Sequence, residues 1–127
     1  MNISKRTWII GVAILFSLVS IALAQSKAVL WDGTHWKTLS NGNKVAYIKG
    51  IGNMADFEVA AGGSGRAGCI SRAFVDELNT KTIANIVKEV DKYYQENPKK
   101  ANISVIEVVL RRCTALCPPE PKEGATR

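Results

Sequence analysis

Residues Thr80–Pro98, TKTIANIVKEVDKYYQENP, decide the fold. Ile83, Ile86, Val87, Val90, Tyr93 and Tyr94 recur at spacings of three and four. That period gathers them on one face of an α-helix and leaves Lys88, Glu89 and Lys92 on the rest. Thr80 reads as the N-cap of a helix over Lys81–Glu96. Asn97-Pro98 ends it, because a residue before proline avoids the helical region.

The next segment repeats the period. Ser104 and Glu107 have the S-x-x-E spacing of a capping box, and Ile103 and Val108 that of a hydrophobic staple. Ile106, Val109, Leu110, Cys113 and Cys117 make the expected buried face, and Pro118-Pro119 stops the helix. Upstream, Ser40 is the expected cap of a helix over Asn41–Ala60, with Val45, Ile48, Ile51, Ala55 and Val59 as its stripe. Gly50 and Gly52 lie inside it and mark either a kink or the close approach of a neighbour. Gly62–Gly68 reads as a flexible loop, and Ser71 as the cap of a short helix over Arg72–Leu78. No segment reads as a pair of strands. The expected fold is all-α, a compact bundle of about four helices clamped by one disulfide.

Three cysteines are available, Cys69, Cys113 and Cys117. Cys113 and Cys117 are one helical turn apart, and such neighbours rarely have the Cβ geometry of a bridge. Cys69 is therefore expected to pair with one of the two.

The N-terminus assigns a compartment. Lys5 and Arg6 precede an apolar run, Trp8–Leu23, and Ala22-Leu23-Ala24 is a small-x-small cleavage site. This is the pattern of a secretory signal peptide over residues 1–24. The run is about 16 residues, short of the roughly 20 that a spanning helix needs, so no stable membrane insertion is expected after cleavage. The chain is then periplasmic or secreted, where a disulfide persists. The implied division is a signal peptide over 1–24, a lead-in over 25–39, a helical domain over 40–117 and a disordered tail over 118–127.

With 17 Lys and Arg against 11 Asp and Glu, the whole chain carries +6. The basic residues form no dense run, and an exported protein without a basic, aromatic-interleaved stripe is a poor match to nucleic acid. Little catalytic chemistry is visible. His35 is the single histidine and has no ligand or nucleophile at a recognisable spacing. Gly62–Gly68 lacks the order of a phosphate-binding loop, and Cys113-x-x-x-Cys117 lacks the two-residue spacing of a thiol redox site. The carboxylate pairs Asp56/Glu58 and Asp76/Glu77 read as solvated helix faces. No catalytic residue, metal ligand or cofactor is assigned. Trp36 reads first as a packing residue against the first helix. Together with Trp31 and Arg66 it is also a candidate contact for a partner. Asn102-Ile103-Ser104 matches a glycosylation sequon.

Trp36, Leu39-Ser40, Lys44, Tyr47-Ile48 and Gly50 read as W-x-x-L-S-x-x-x-K-x-x-Y-I-x-G. Thr80, Ile86-Val87, Tyr93-Tyr94, Pro98, Val105–Leu110 and Cys117-Pro118 follow. Over residues 36–118 the pattern resembles small exported bacterial proteins of uncharacterised function and is similar to the Rap/Tai group of type VI secretion immunity proteins. This chain departs from that group in having no cysteine just before Tyr47 and an additional one at Cys113. The resemblance implies an all-α periplasmic protein that binds and blocks a peptidoglycan-cleaving toxin, with another periplasmic protein as partner. A small disulfide-clamped helical domain is also the design of HdeA-like acid-stress chaperones, which expose apolar surface when acid protonates their carboxylates. An envelope hydrolase is the third and weakest expectation.

Overall fold

A computed structural model describes residues 29–120. The expected signal peptide, the first residues of the lead-in (25–28) and the end of the tail (121–127) lie outside the described residues. The fold is all-α: α1 Gly33–Thr38, α2 Asn41–Ala60, α3 Gly65–Thr80, α4 Ile83–Glu96, a 3₁₀ turn over Pro98–Lys100, and α5 Val105–Leu116. Among the described residues there are thus five helices rather than about four, because part of the lead-in is itself helical. Among the described residues no helix is long and apolar enough to cross a membrane.

The extra helix starts where the sequence suggested only a turn. Asp32 caps α1, its Oδ1 accepting from the backbone N–H of Thr34 at 2.9 Å and of His35 at 3.3 Å. The segment is pinned from both sides. Val105 donates its N–H to the Trp31 carbonyl at 2.7 Å, and Gly33 donates to the Ala101 carbonyl at 2.8 Å. Trp36 is carried into the core by this arrangement, where it is 1% exposed. Its indole Nε1 donates to Asp91 of α4 at 2.7 Å. Lys44 of α2 reaches the same carboxylate oxygen at 2.7 Å and lies 5.3 Å from the centroid of the Trp36 ring. One tryptophan therefore fastens α1 to α2 and α4.

The helix α2 has its expected bounds, with Ser40 Oγ accepting from Asn43 N–H. Its two inner glycines behave differently. A Cβ on Gly52 would lie 2.8 Å from Leu78 of α3, so this glycine lets two helices pack closely, whereas a Cβ on Gly50 would meet nothing.

Two boundaries differ from expectation. The glycine loop is shorter than Gly62–Gly68, since α3 already begins at Gly65. Gly62 and Gly65, both at positive φ, make the turn. Ser71 is therefore no cap but an interior, buried residue of α3 whose Oγ donates to Glu58 of α2 at 2.6 Å. Thr80 ends α3, with its hydroxyl turned back to the Glu77 carbonyl, and Thr82 caps α4. In both places packing of α3 on α2 extends a helix beyond what the local sequence suggests.

Ile86, Val87, Val90 and Tyr94 of α4 are buried, and the Tyr94 hydroxyl donates to the Ile103 carbonyl at 2.8 Å. At the start of α5, Ser104 holds the N-cap position without a side-chain cap bond, so the capping box is not formed. The Val105 N–H is taken by Trp31 instead. The buried face of α5 keeps Val109, Cys113 and Cys117 from the expected set and differs from it at three positions. Val105, Val109 and Cys113 are buried, while Ile106 and Leu110 are only half-buried.

Cys69 in the second turn of α3 bonds to Cys117 at the end of α5, with Cα atoms 5.9 Å apart. Cys113 is free and buried. Closing the intervening 48-residue separation contributes about 4 kcal/mol in the chain-entropy account.

Candidate functional site

The half-buried residues of α5 line the main concavity. Between α2 and α5 runs a groove of about 500 Å³. Tyr47, Gly50, Ile51 and Met54 form one wall and Ile106 and Leu110 the other, with Glu58 and Ser71 toward the C-terminal end of α2. These positions on α2 advance by three or four residues, so the groove follows the helix axis for about three turns. Gly50 leaves it wide. The groove is lined by a large apolar side chain that a small domain would ordinarily bury, Met54, which is 63% exposed. Phe57, also on α2, is exposed as well.

The other end of the groove carries an aromatic rim. Trp31 stacks on Tyr47 with ring centroids 5.5 Å apart, and Trp36 meets the edge of Tyr47 at 6.1 Å. The buried indole thus supports the half-buried tyrosine, and the tyrosine supports Trp31, which keeps 40% of its surface exposed. Rigid aromatic surface of this kind is suited to anchoring a partner. Val29 and Leu30, next in the chain, are also exposed.

The three residues named as contact candidates separate. Trp31 lies at the groove. Trp36 is a core residue, as its packing reading had it, and is corrected only as a contact candidate, because its ring is enclosed and its N–H is taken by Asp91. Arg66 lies in the first turn of α3, its backbone N–H donating to Glu120 Oε1 at 3.2 Å, and is not among the groove residues. Met54 and Gly50 were not anticipated as site residues. The available signal was that Met54 falls outside the apolar stripe of α2 and must face elsewhere.

Charged chemistry is concentrated on a different side. Glu77 of α3 accepts from Lys81 at 3.1 Å and from the Arg112 guanidinium of α5, which also pairs with Glu89 of α4. Lys81 bridges to Glu89 at 3.0 Å. The reading of Glu77 as solvated is therefore corrected: its side chain is 11% exposed. Glu58 likewise is half-buried and bonded to Ser71, while Asp56 and Asp76 are exposed. Desolvation works against the charge of Glu89, but hydrogen bonding from Lys81 and the charge of Arg112 outweigh it and hold its carboxyl below the ordinary value. The Cys113 thiol donates to Glu77 Oε2 at 3.5 Å. Burial first, and the neighbouring Glu77 second, push the thiol up to about 11. Each group here is matched within the chain, which is the character of a structural clasp.

His35 is on the surface and bonded to Asp32 through Nδ1 at 2.8 Å. Hydrogen bonds from Thr34, then His35, hold the Asp32 carboxyl far below the usual range. Among the described residues no group of three His, Cys, Asp or Glu is placed to hold a metal ion. Within the groove Glu58 is the sole ionisable carboxylate. The arrangement is thus able to bind an apolar surface, and it lacks the facing acid and base that hydrolysis of a glycosidic bond calls for. No family model, no curated protein and no solved structure matches the chain.

Proposed function

We propose that this is an exported, non-enzymatic binding protein whose α2–α5 groove receives a helix of a partner protein in the cell envelope. The observation that carries this reading is an apolar groove lined by exposed Met54 and by Tyr47, on which an exposed Trp31 is stacked. Helix-in-groove recognition needs an apolar trough about three turns long with close access to backbone, and Gly50 provides that access. An immunity-like inhibitor of a cell-wall-degrading toxin is the specific form favoured by the sequence resemblance. The signal peptide read over residues 1–24 supports a periplasmic or secreted chain, and the partner is sought in that same compartment.

The test is capture from native periplasm with crosslinking and mass spectrometry, comparing the natural chain with Gly50→Leu. A Cβ at Gly50 meets nothing, and leucine favours helix over glycine by about 0.8 kcal/mol; the variant therefore folds while filling the groove. The expected result is one stoichiometric partner, a cell-wall hydrolase in the immunity-like case, crosslinked beside Tyr47 or Met54 and lost in the variant. Equal capture by both chains removes the groove from the mechanism.

The charged clasp favours a second reading, an acid-responsive chaperone. Glu77 and Glu89 hold α3, α4 and α5 together through Lys81 and Arg112, and acid protonates such carboxylates. Binding of a hydrophobic dye near about pH 3, absent at neutral pH, supports that reading; a chain that stays closed there does not act this way.

A further inference from the structure

We propose that the partner's helix carries a lysine or arginine at one end of its apolar face, and that Glu58 receives it. This rests on the groove being the partner site and adds the chemistry of the occupant. Glu58 is the groove's single charge, and it stands where α2 and α3 close the apolar trough. Ser71 donates to its Oε2 at 2.6 Å. Among the described residues no lysine or arginine lies within ion-pair distance of either oxygen, although Glu77, Glu89 and Asp91 all have such a partner. Arg72, the residue after Ser71, donates to the Gly63 carbonyl at 2.8 Å instead.

A half-buried carboxylate with one neutral donor retains acceptor capacity, and covering it with an apolar helix alone would desolvate a charge without compensation. A basic side chain on the occupant supplies a charge-assisted bond there. The occupant is helical rather than extended, because both walls are helices whose backbone groups are already bonded and leave no edge for strand pairing. Lysine and arginine also suit the site geometrically. Their long stems lie along apolar surface while the head reaches past Met54 to the carboxylate.

The experiment is selection from a displayed library of helical peptides of about four turns, long enough to cover the groove, using the purified protein without its first 24 residues as bait. Three baits are compared: the natural chain, Glu58→Gln and Gly50→Leu. Glutamine still accepts from Ser71, so Glu58→Gln keeps the local packing. The natural bait is expected to enrich peptides with apolar residues at i, i+3/i+4 and i+7 and a Lys or Arg at one fixed end. With Glu58→Gln the apolar pattern persists and the basic preference vanishes, and a selected lysine peptide binds about tenfold more weakly. With Gly50→Leu enrichment is lost altogether. A basic preference unchanged in Glu58→Gln, or apolar peptides with no basic preference, overturns the charge pairing while leaving the groove in place. Enrichment unaffected by Gly50→Leu, or no enriched helical peptide from the natural bait, overturns both.

Discussion

Gly33 lies directly against the Tyr94 ring, so closely that a Cβ at this position would penetrate the ring edge. The contact seats α1 on α4, and it is locked by the bond from Gly33 N–H to the Ala101 carbonyl. Gly33→Ala must displace either α1 or Tyr94. The expected loss is about 1–3 kcal/mol, the usual cost of overpacking a core. Gly50→Ala, at an open position of α2, is expected to raise stability by up to about 1 kcal/mol. Urea unfolding of both variants reads the contrast, and equal midpoints would refute the close seating of α1.

Asp91 is expected to be the most damaging polar residue to truncate. Its Oδ1 accepts from both Trp36 Nε1 and Lys44 Nζ. Asp91→Ala leaves a buried indole N–H without a partner, at a cost of about 1–3 kcal/mol. Asp91→Asn keeps an acceptor for the indole and should recover part of the loss. If the two variants unfold at one urea concentration, the indole bond contributes nothing.

The three cysteines give a chemical signature. In the folded state Cys113 is buried, with its thiol pushed up to about 11, so iodoacetamide near neutral pH should leave it unmodified for as long as the fold lasts. Adding denaturant without reductant should release one thiol. A nonreducing peptide map should join Cys69 to Cys117, and a Cys113–Cys117 linkage would contradict the clamp. Reduction should lower stability by up to about 4 kcal/mol.

Acid should loosen the clasp between α3, α4 and α5. The Glu89 carboxyl is held below its ordinary value of 4.5. A depressed carboxyl contributes stability above its unfolded value and loses it as the pH falls through the folded value. Glu89→Gln should therefore be less stable than the natural chain at neutral pH, with the two converging toward about pH 3. Urea midpoints across that range measure the convergence, and a constant gap would show that Glu89 acts through packing rather than charge.

The helical bundle was readable wherever one face of a segment had a single job. Ile86, Val87, Val90 and Tyr94 repeat cleanly because α4 has only a core to face. The 20-residue α2 packs on α3 and α4 and also borders the groove, so its apolar residues spread around the axis. Local caps misled where tertiary bonds replaced them: Ser71 reaches Glu58, and Val105 reaches Trp31. The groove was hidden for a related reason. Ile106 and Leu110 satisfy the core period, but Val105 joins Val109 and Cys113 inside and leaves these two half-buried along the groove. Which cysteine meets Cys69 depends on how α3 and α5 pack in three dimensions, which no local spacing records.

The Cys69–Cys117 bond also divides the molecule mechanically. It encloses α3 from Cys69 onward, α4 and α5 in one covalent ring, while α1, α2 and the first turn of α3 lie outside it. Tension applied at the two ends of the oxidised chain can strip away α1 and α2 and then stops at the ring. About 17 nm of contour, at roughly 3.5 Å per residue, stays shielded from the load. One wall of the groove belongs to the strippable part and the other to the shielded part, so traction on the N-terminal side dismantles the groove before it disturbs the clasp.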